Sequence, residues 1–202
     1  MASVYVFQHG DEDLFKIGRT RGDVEKRRKD LSTGNPVELK IFDVIETEKD
    51  NVVEKYLHKK LYAFHSKASD ATEFFAVSTA ILQECIEETR EFMDEYLPLL
   101  DAAQELKKVE PDDSIKKPDE HVLQVYEELC RVRERMSILK FEEEILENKI
   151  KSYIGGSNGI EGVATWVLRS SSRLDQAILK EKFPEAYDQC QIESKTRFFK
   201  LE

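Results

Sequence analysis

Five side chains within the first sixty residues carry groups suited to a phosphodiester: the Tyr5 phenol, the Lys16 ammonium, the Arg27 guanidinium, the Glu54 carboxylate and the His58 imidazole. Hydrolysing such a bond needs a metal to neutralise charge developing on the phosphate. It also needs a group that activates water and a cation that holds the transition state. One carboxylate can hold magnesium if substrate oxygens and water complete the shell, and Glu54 offers one. Glu54 and His58 lie one helical turn apart, so both belong on one helix face. Plainer readings stand beside these. Tyr5 can be a packed strand aromatic, Arg27 a solvated helix cation, Glu54 a partner of Lys55 or His58, and His58 a satisfied helix histidine.

Charge frames the partner question. The 202 residues carry a formal net charge of −10, a poor starting point for a nucleic-acid binder, because phosphate neutralisation supplies most non-specific affinity. Distribution matters more than the sum. Seven cations (Lys16, Arg19, Arg21, Lys26, Arg27, Arg28 and Lys29) crowd residues 16–29 against only Asp23 and Glu25. A basic stripe on an acidic body permits a DNA site. Charged residues make up 36% of the chain, above the usual quarter, which points to long solvated helices. Cys85, Cys130 and Cys190 are too far apart for a metal knuckle or a disulfide framework and read as idle thiols of a reducing compartment. No apolar run approaches the roughly 18 residues of a membrane span, and the N-terminus lacks a basic-then-apolar leader. An intracellular protein, in host cytoplasm or nucleus and without a membrane partner, is expected.

The elements that must position these groups follow from pattern. Val4–Phe7 and Leu14–Gly18 read as strands of a hairpin around the polar turn 9–13. Asp23 can cap a helix to about Leu31 that carries the basic stripe. Ser32 to Pro36 is a breaker, and Leu39 to Ile45 alternates as a third strand. Asp50 or Asn51 starts a helix with Val53, Tyr56, Leu57, Leu61 and Phe64 on one face. Phe74–Val77 is a short buried piece, and Ile81–Leu97 a further amphipathic helix. The order predicts an α+β domain, a small three-stranded antiparallel-type sheet flanked by helices, over residues 1–97.

The motifs then become specific. Val4-Tyr5-Val6 and Lys16-Ile17-Gly18 stand where the GIY and YIG motifs stand. They are followed by Gly18-x-Thr20, Arg27, Leu31-Ser32-Thr33-Gly34-Asn35-Pro36, Glu54-Lys55-Tyr56-Leu57-His58 and Glu73-Phe74-Phe75. Over about residues 3–80 this resembles the GIY-YIG nuclease superfamily, in its phage T5 Orf172-type DNA-binding branch. The resemblance implies that Tyr5 positions or deprotonates the attacking water, that Arg27 grips the phosphate, and that Glu54 holds a single Mg2+ (or Mn2+) if the domain is catalytically active. It gives His58 and Glu73 positions typical of the branch. Lys16 departs from the second-motif tyrosine: it can bind phosphate or developing charge but is a poor base unless buried. Arg19, Arg21, Lys26, Arg28 and His58 complete the residues expected to face DNA.

Residues 98–118, with Pro111 and Pro118, read as a linker. In 119–154, Val122, Leu129, Met136 and Ile150 share one heptad position, and Val125, Val132, Leu139, Leu146 and Tyr153 another. Only Glu143 interrupts them. This predicts a long coiled-coil-like helix and a homodimer through residues 122–153; a helix packed on its own domain is the plainer alternative. Gly155-Gly156 ends it, Ala164–Leu168 reads as a strand, and residues 155–202 form a small α+β tail. From about residue 120, Ala164-Thr165-Trp166, Ser172-Arg173-Leu174-Asp175, Phe183-Pro184-Glu185-Ala186-Tyr187 and Arg197-Phe198-Phe199-Lys200 are similar to the tail of YqaJ-type viral recombinases, without their nuclease core. The expected protein is a metal-dependent DNA endonuclease of viral or phage type. The alternatives are a catalytically degenerate DNA-binding module and a dimeric interaction or inhibitor protein whose acidic surface mimics DNA.

Overall fold

Val4, Tyr5, Val6 and Phe7 form an unbroken apolar run because their strand is buried on both faces. In the computed structural model, which describes residues 2–33, 37–66, 73–112, 114–192 and 197–201, that strand is β1 (Ser3–His9). It lies inside a four-stranded antiparallel sheet with β2 (Leu14–Thr20), β3 (Leu39–Glu46) and β4 (Phe74–Ala76), in the order β3-β1-β2-β4. The three anticipated strands are joined by a fourth, pairing Phe74 with Lys16 and Phe75 with Phe15. Three residues are too short to show alternation, so only burial was legible there. The Gly34–Pro36 part of the anticipated breaker lies outside the described residues.

Side chains from alternate positions divide the core in two. Val4, Val6, Phe15, Ile17 and Ile45 face one way, under α2 (Asp50–Lys60) and α3 (Thr79–Leu106), which contribute Val53, Leu57, Leu82 and Ile86. Tyr5, Phe7 and Leu39 face the other way, under Val24 and Leu31 of α1 (Val24–Ser32). Asp23 caps α1 as its composition suggests, accepting from the Lys26 backbone N–H at 2.7 Å. Tyr56 stacks on Phe92 with ring centroids 3.8 Å apart, and Arg90 forks onto Asp43, so α2 and β3 are both tied to α3.

Two boundaries moved. The helix expected to stop at Leu97 runs through Pro98 to Leu106. Proline removes one backbone bond from a helix already held by a packed first half, so it fails to terminate it. The chain divides into two compact units near residues 110 and 111. The second unit holds the 35-residue α4 (Glu120–Ile154), capped by Asp119 at its start and by Gly155, at φ 58°, at its end. Its tail contains β5 (Gly159–Ile160), β6 (Ala164–Thr165), α5 (Gln176–Lys182) and α6 (Pro184–Gln189). The strand expected over Ala164–Leu168 shrinks to two residues, and Trp166 is half exposed.

Candidate active site

Pairing places Tyr5 of β1 directly opposite Gly18 of β2. A Cβ built on Gly18 would come within 2.5 Å of the Tyr5 hydroxyl oxygen, so the phenol lies across the glycine itself. The ring is buried and stacks on Phe7 with centroids 4.2 Å apart. Arg27, on α1 over the same face, brings its guanidinium beside the phenol oxygen. Burial raises the Tyr5 pKa above its ordinary value; the Arg27 guanidinium opposes the rise, and the Glu73 and Glu54 carboxylates add to it. The phenol therefore stays protonated at neutral pH. It is a hydrogen-bonding group there, not a standing base.

Lys16 sits on the same sheet face, opposite Phe7 and Phe74. Its side chain is only 10% exposed, and its ammonium lies 2.5 Å from Glu73 Oε2 and 4.8 Å from the centre of the Phe74 ring. The cation in place of a second tyrosine thus enters with its own counter-ion. Glu73 belonged to the matched motif without a role; 57 residues separate it from Lys16, and no local spacing could announce the pair.

Glu54 projects from α2 with 19% of its side chain exposed and accepts from Arg19 Nε at 2.9 Å. Burial raises its pKa; the positive charge available at His58 and that of Arg19 lower it, and Glu73 raises it again. Asp50, one turn earlier, is buried and takes Arg19 Nη1 at 3.2 Å and Arg21 at 3.9 Å. By sequence Asp50 is no more than a helix start. Its part in holding Arg19 was invisible because Arg19 lies on β2, 31 residues away. His58 Nε2 lies 3.2 Å from the Ile17 carbonyl, which can only accept, so this nitrogen carries the proton. Its ring packs against Phe75. Glu54, His58 and Glu73 line a cleft of about 550 Å3 whose rim carries Lys55, Lys59 and Tyr62, the last 76% exposed.

The structure therefore brings Tyr5, Lys16, Arg27, Glu54 and His58 together with Glu73. The remaining expected DNA contacts part company. Arg19, Arg21, Lys26 and Arg27 are all exposed, but Arg19 is ion-paired with Asp50 and Glu54, and Arg21 with Asp50. Arg28 turns into the domain, donating to the Leu39 carbonyl at 2.8 Å and pairing with Glu25 and Glu38. Among the described residues no group of three or more His, Cys, Asp and Glu side chains could by itself hold a metal ion. Of the two carboxylates at the cleft, Glu73 is paired with Lys16 and Glu54 with Arg19, so magnesium held by Glu54 would need substrate and water oxygens to complete its shell.

An antiparallel sheet flanked by helices, with a phenol laid across a glycine and a guanidinium and carboxylates near that phenol, defines the class of domain. The family model of the T5orf172 domain matches residues 2–90 of the chain. The matched family is one of phage-type, DNA-related domains. No curated protein and no solved structure matches the chain.

Proposed function

We propose that the N-terminal domain is a metal-dependent endonuclease that cleaves DNA phosphodiesters. The observation that carries this reading is the convergence of Tyr5, Arg27 and Glu54 on one site from three separate elements. Glu54 would hold a magnesium or manganese ion, which when bound supplies charge neutralisation at the phosphate. The protein's own groups supply the rest. The Tyr5 phenol, protonated and fixed across Gly18, orients the attacking water. Arg27, exposed and beside that phenol, binds a non-bridging oxygen and the charge that grows there. Water adds to phosphorus, one ester bond breaks, and the departing oxygen takes a proton, leaving a hydroxyl and a phosphate end.

A second reading, DNA binding without turnover, is favoured by two ion pairs: Lys16 with Glu73, and Glu54 with Arg19. In that reading both charges are consumed internally and the exposed cations of α1 only grip backbone phosphate. The deciding experiment incubates the full chain with duplex, single-stranded and branched DNA in magnesium or manganese. Metal-dependent cleavage that disappears in Glu54→Ala, with DNA affinity retained, establishes the nuclease. Salt-dependent binding with no cleavage of any substrate leaves the binding module.

A further inference from the structure

The strongest unassigned surface is α4. Its first heptad seam is Val122, Leu129, Met136, Glu143 and Ile150; its second is Val125, Val132, Leu139, Leu146 and Tyr153. Apart from half-buried Leu129, the apolar members are 38% to 82% exposed, and a groove of about 590 Å3 runs along Met136, Leu139, Glu143, Leu146 and Ile150. An isolated helix cannot leave such a stripe in water without cost, and a heptad repeat of this length matches a second helix of the same kind. The flanking charges decide which way that helix runs.

In a parallel pair each seam position meets its own copy, and the residue before the first seam meets the residue after the second, one heptad on. That register sets Glu143 against Glu143 inside an apolar layer, where two carboxylates lack any counter-charge. It also sets Arg135 against Lys140 and Glu142 against Glu147, with only Glu128 against Arg133 attractive. An antiparallel pair changes every one of these meetings. Position 122 then faces 153, 125 faces 150, 129 faces 146, 132 faces 143 and 136 faces 139, so each first-seam residue meets a second-seam one. Glu143 now faces Val132 of the other copy, and no carboxylate meets its like. Alongside, Glu128 meets Lys149 and Arg135 meets Glu142, each twice by symmetry. The one unfavourable meeting, Arg133 with Lys140, has Glu143 a turn from Lys140 on the same helix to neutralise it.

We propose that α4 is the dimerisation element of this protein and that it pairs antiparallel with a second copy of itself, in the register that sets Met136 against Leu139. The seam explains the exposed apolar face; the charges select orientation; and Glu143 becomes a device against the parallel alternative.

Cross-linking and one charge reversal test it on the full chain, with Cys130 and Cys190 replaced by Ser and buried Cys85 kept. Val125→Cys and Ile150→Cys chains, each alone, should give no disulfide across the seam, and their mixture should give a disulfide heterodimer under mild oxidation. Disulfides within each single variant, with no 125–150 heterodimer in the mixture, would establish a parallel pair and overturn the proposal. By sedimentation, Arg135→Glu should raise the dimer dissociation constant at least about fivefold, because it meets Glu142 twice. The double variant Arg135→Glu/Glu142→Arg should restore it. Tighter association in Arg135→Glu alone points to the parallel pair, where it would meet Lys140. A monomer at tens of micromolar, with helical circular dichroism retained, leaves the helix packed within its own chain and sinks the proposal.

Discussion

Glu54 is held below full solvation, which raises its pKa and makes its behaviour testable by pH. To hold a cation the carboxylate must ionise, so proton competition should weaken magnesium binding to the metal-free site at a pH above the ordinary glutamate range, and Glu54→Gln should abolish cleavage altogether. The stability effect has the opposite sign. A carboxyl whose folded pKa exceeds its unfolded one binds more protons when folded, so stability falls as pH rises through the interval between the two values. Glu54→Gln removes that loss, and its Tm at pH 7 should equal or exceed that of the parent, measured by thermal unfolding. A marked drop would mean that the Arg19 ion pair outweighs the desolvation. Tyr5→Phe should slow turnover on the order of a hundredfold, the scale of one lost transition-state hydrogen bond. A mild effect would reduce Tyr5 to packing. Lys16→Ala should free Glu73 inside the cleft, and in a working nuclease it should reduce turnover more than affinity.

At the scale of elements, α1 separates two kinds of cation that the sequence presents as one stripe. Lys26, Arg27 and Lys29 are exposed, Arg27 with its guanidinium beside Tyr5, while Arg28 anchors β3 through the Leu39 carbonyl. Replacing the first three by Ala should weaken duplex binding and flatten the logarithmic salt dependence by roughly one unit for each phosphate no longer neutralised, in filter-binding titrations. Arg28→Ala should instead lower Tm by a few degrees with the salt slope unchanged. This contrast marks how far the sequence could be read. The first three strands, the cap of α1 and the long helix α4 were legible because they depend on neighbours within a few residues: Asp23 accepts from the Lys26 backbone, and Val4 to Phe7 run apolar. Pairs such as Lys16 with Glu73 and Arg19 with Asp50 were not, since only the closed sheet brings them together. For the same reason α3 could not be followed past Pro98: local chemistry signals a stop there, and packing of the preceding turns overrules it.

For the whole molecule, the two units answer different physical demands. The first has a buried two-faced core, and the second exposes a long apolar seam. If the seam joins two chains, each assembly carries two copies of the domain proposed to act on DNA, and binding to a long duplex should then gain from both at once. On a duplex long enough for two domains, the dimer-weakening Arg135→Glu should cost on the order of tenfold or more in apparent affinity. On a duplex that admits one domain it should cost little, and equal losses on both lengths would show that Arg135 contacts DNA itself. Gel-shift titrations on the two lengths make the comparison.

The closeness of Tyr5 to Gly18 ties two positions into one unit of inheritance. The glycine is kept there by the space the phenol occupies, not by an unusual backbone, since any side chain would strike the hydroxyl end of the ring. A lineage that exchanges the tyrosine for a small residue is released from the glycine as well, while one that keeps the tyrosine cannot lose it. Across relatives of this domain, then, alanine or serine at position 18 should accompany a shortened residue at position 5. A single genome carrying a full-sized aromatic at 5 beside a bulky residue at 18 would mark a sheet that has shifted its register or a site that has been abandoned.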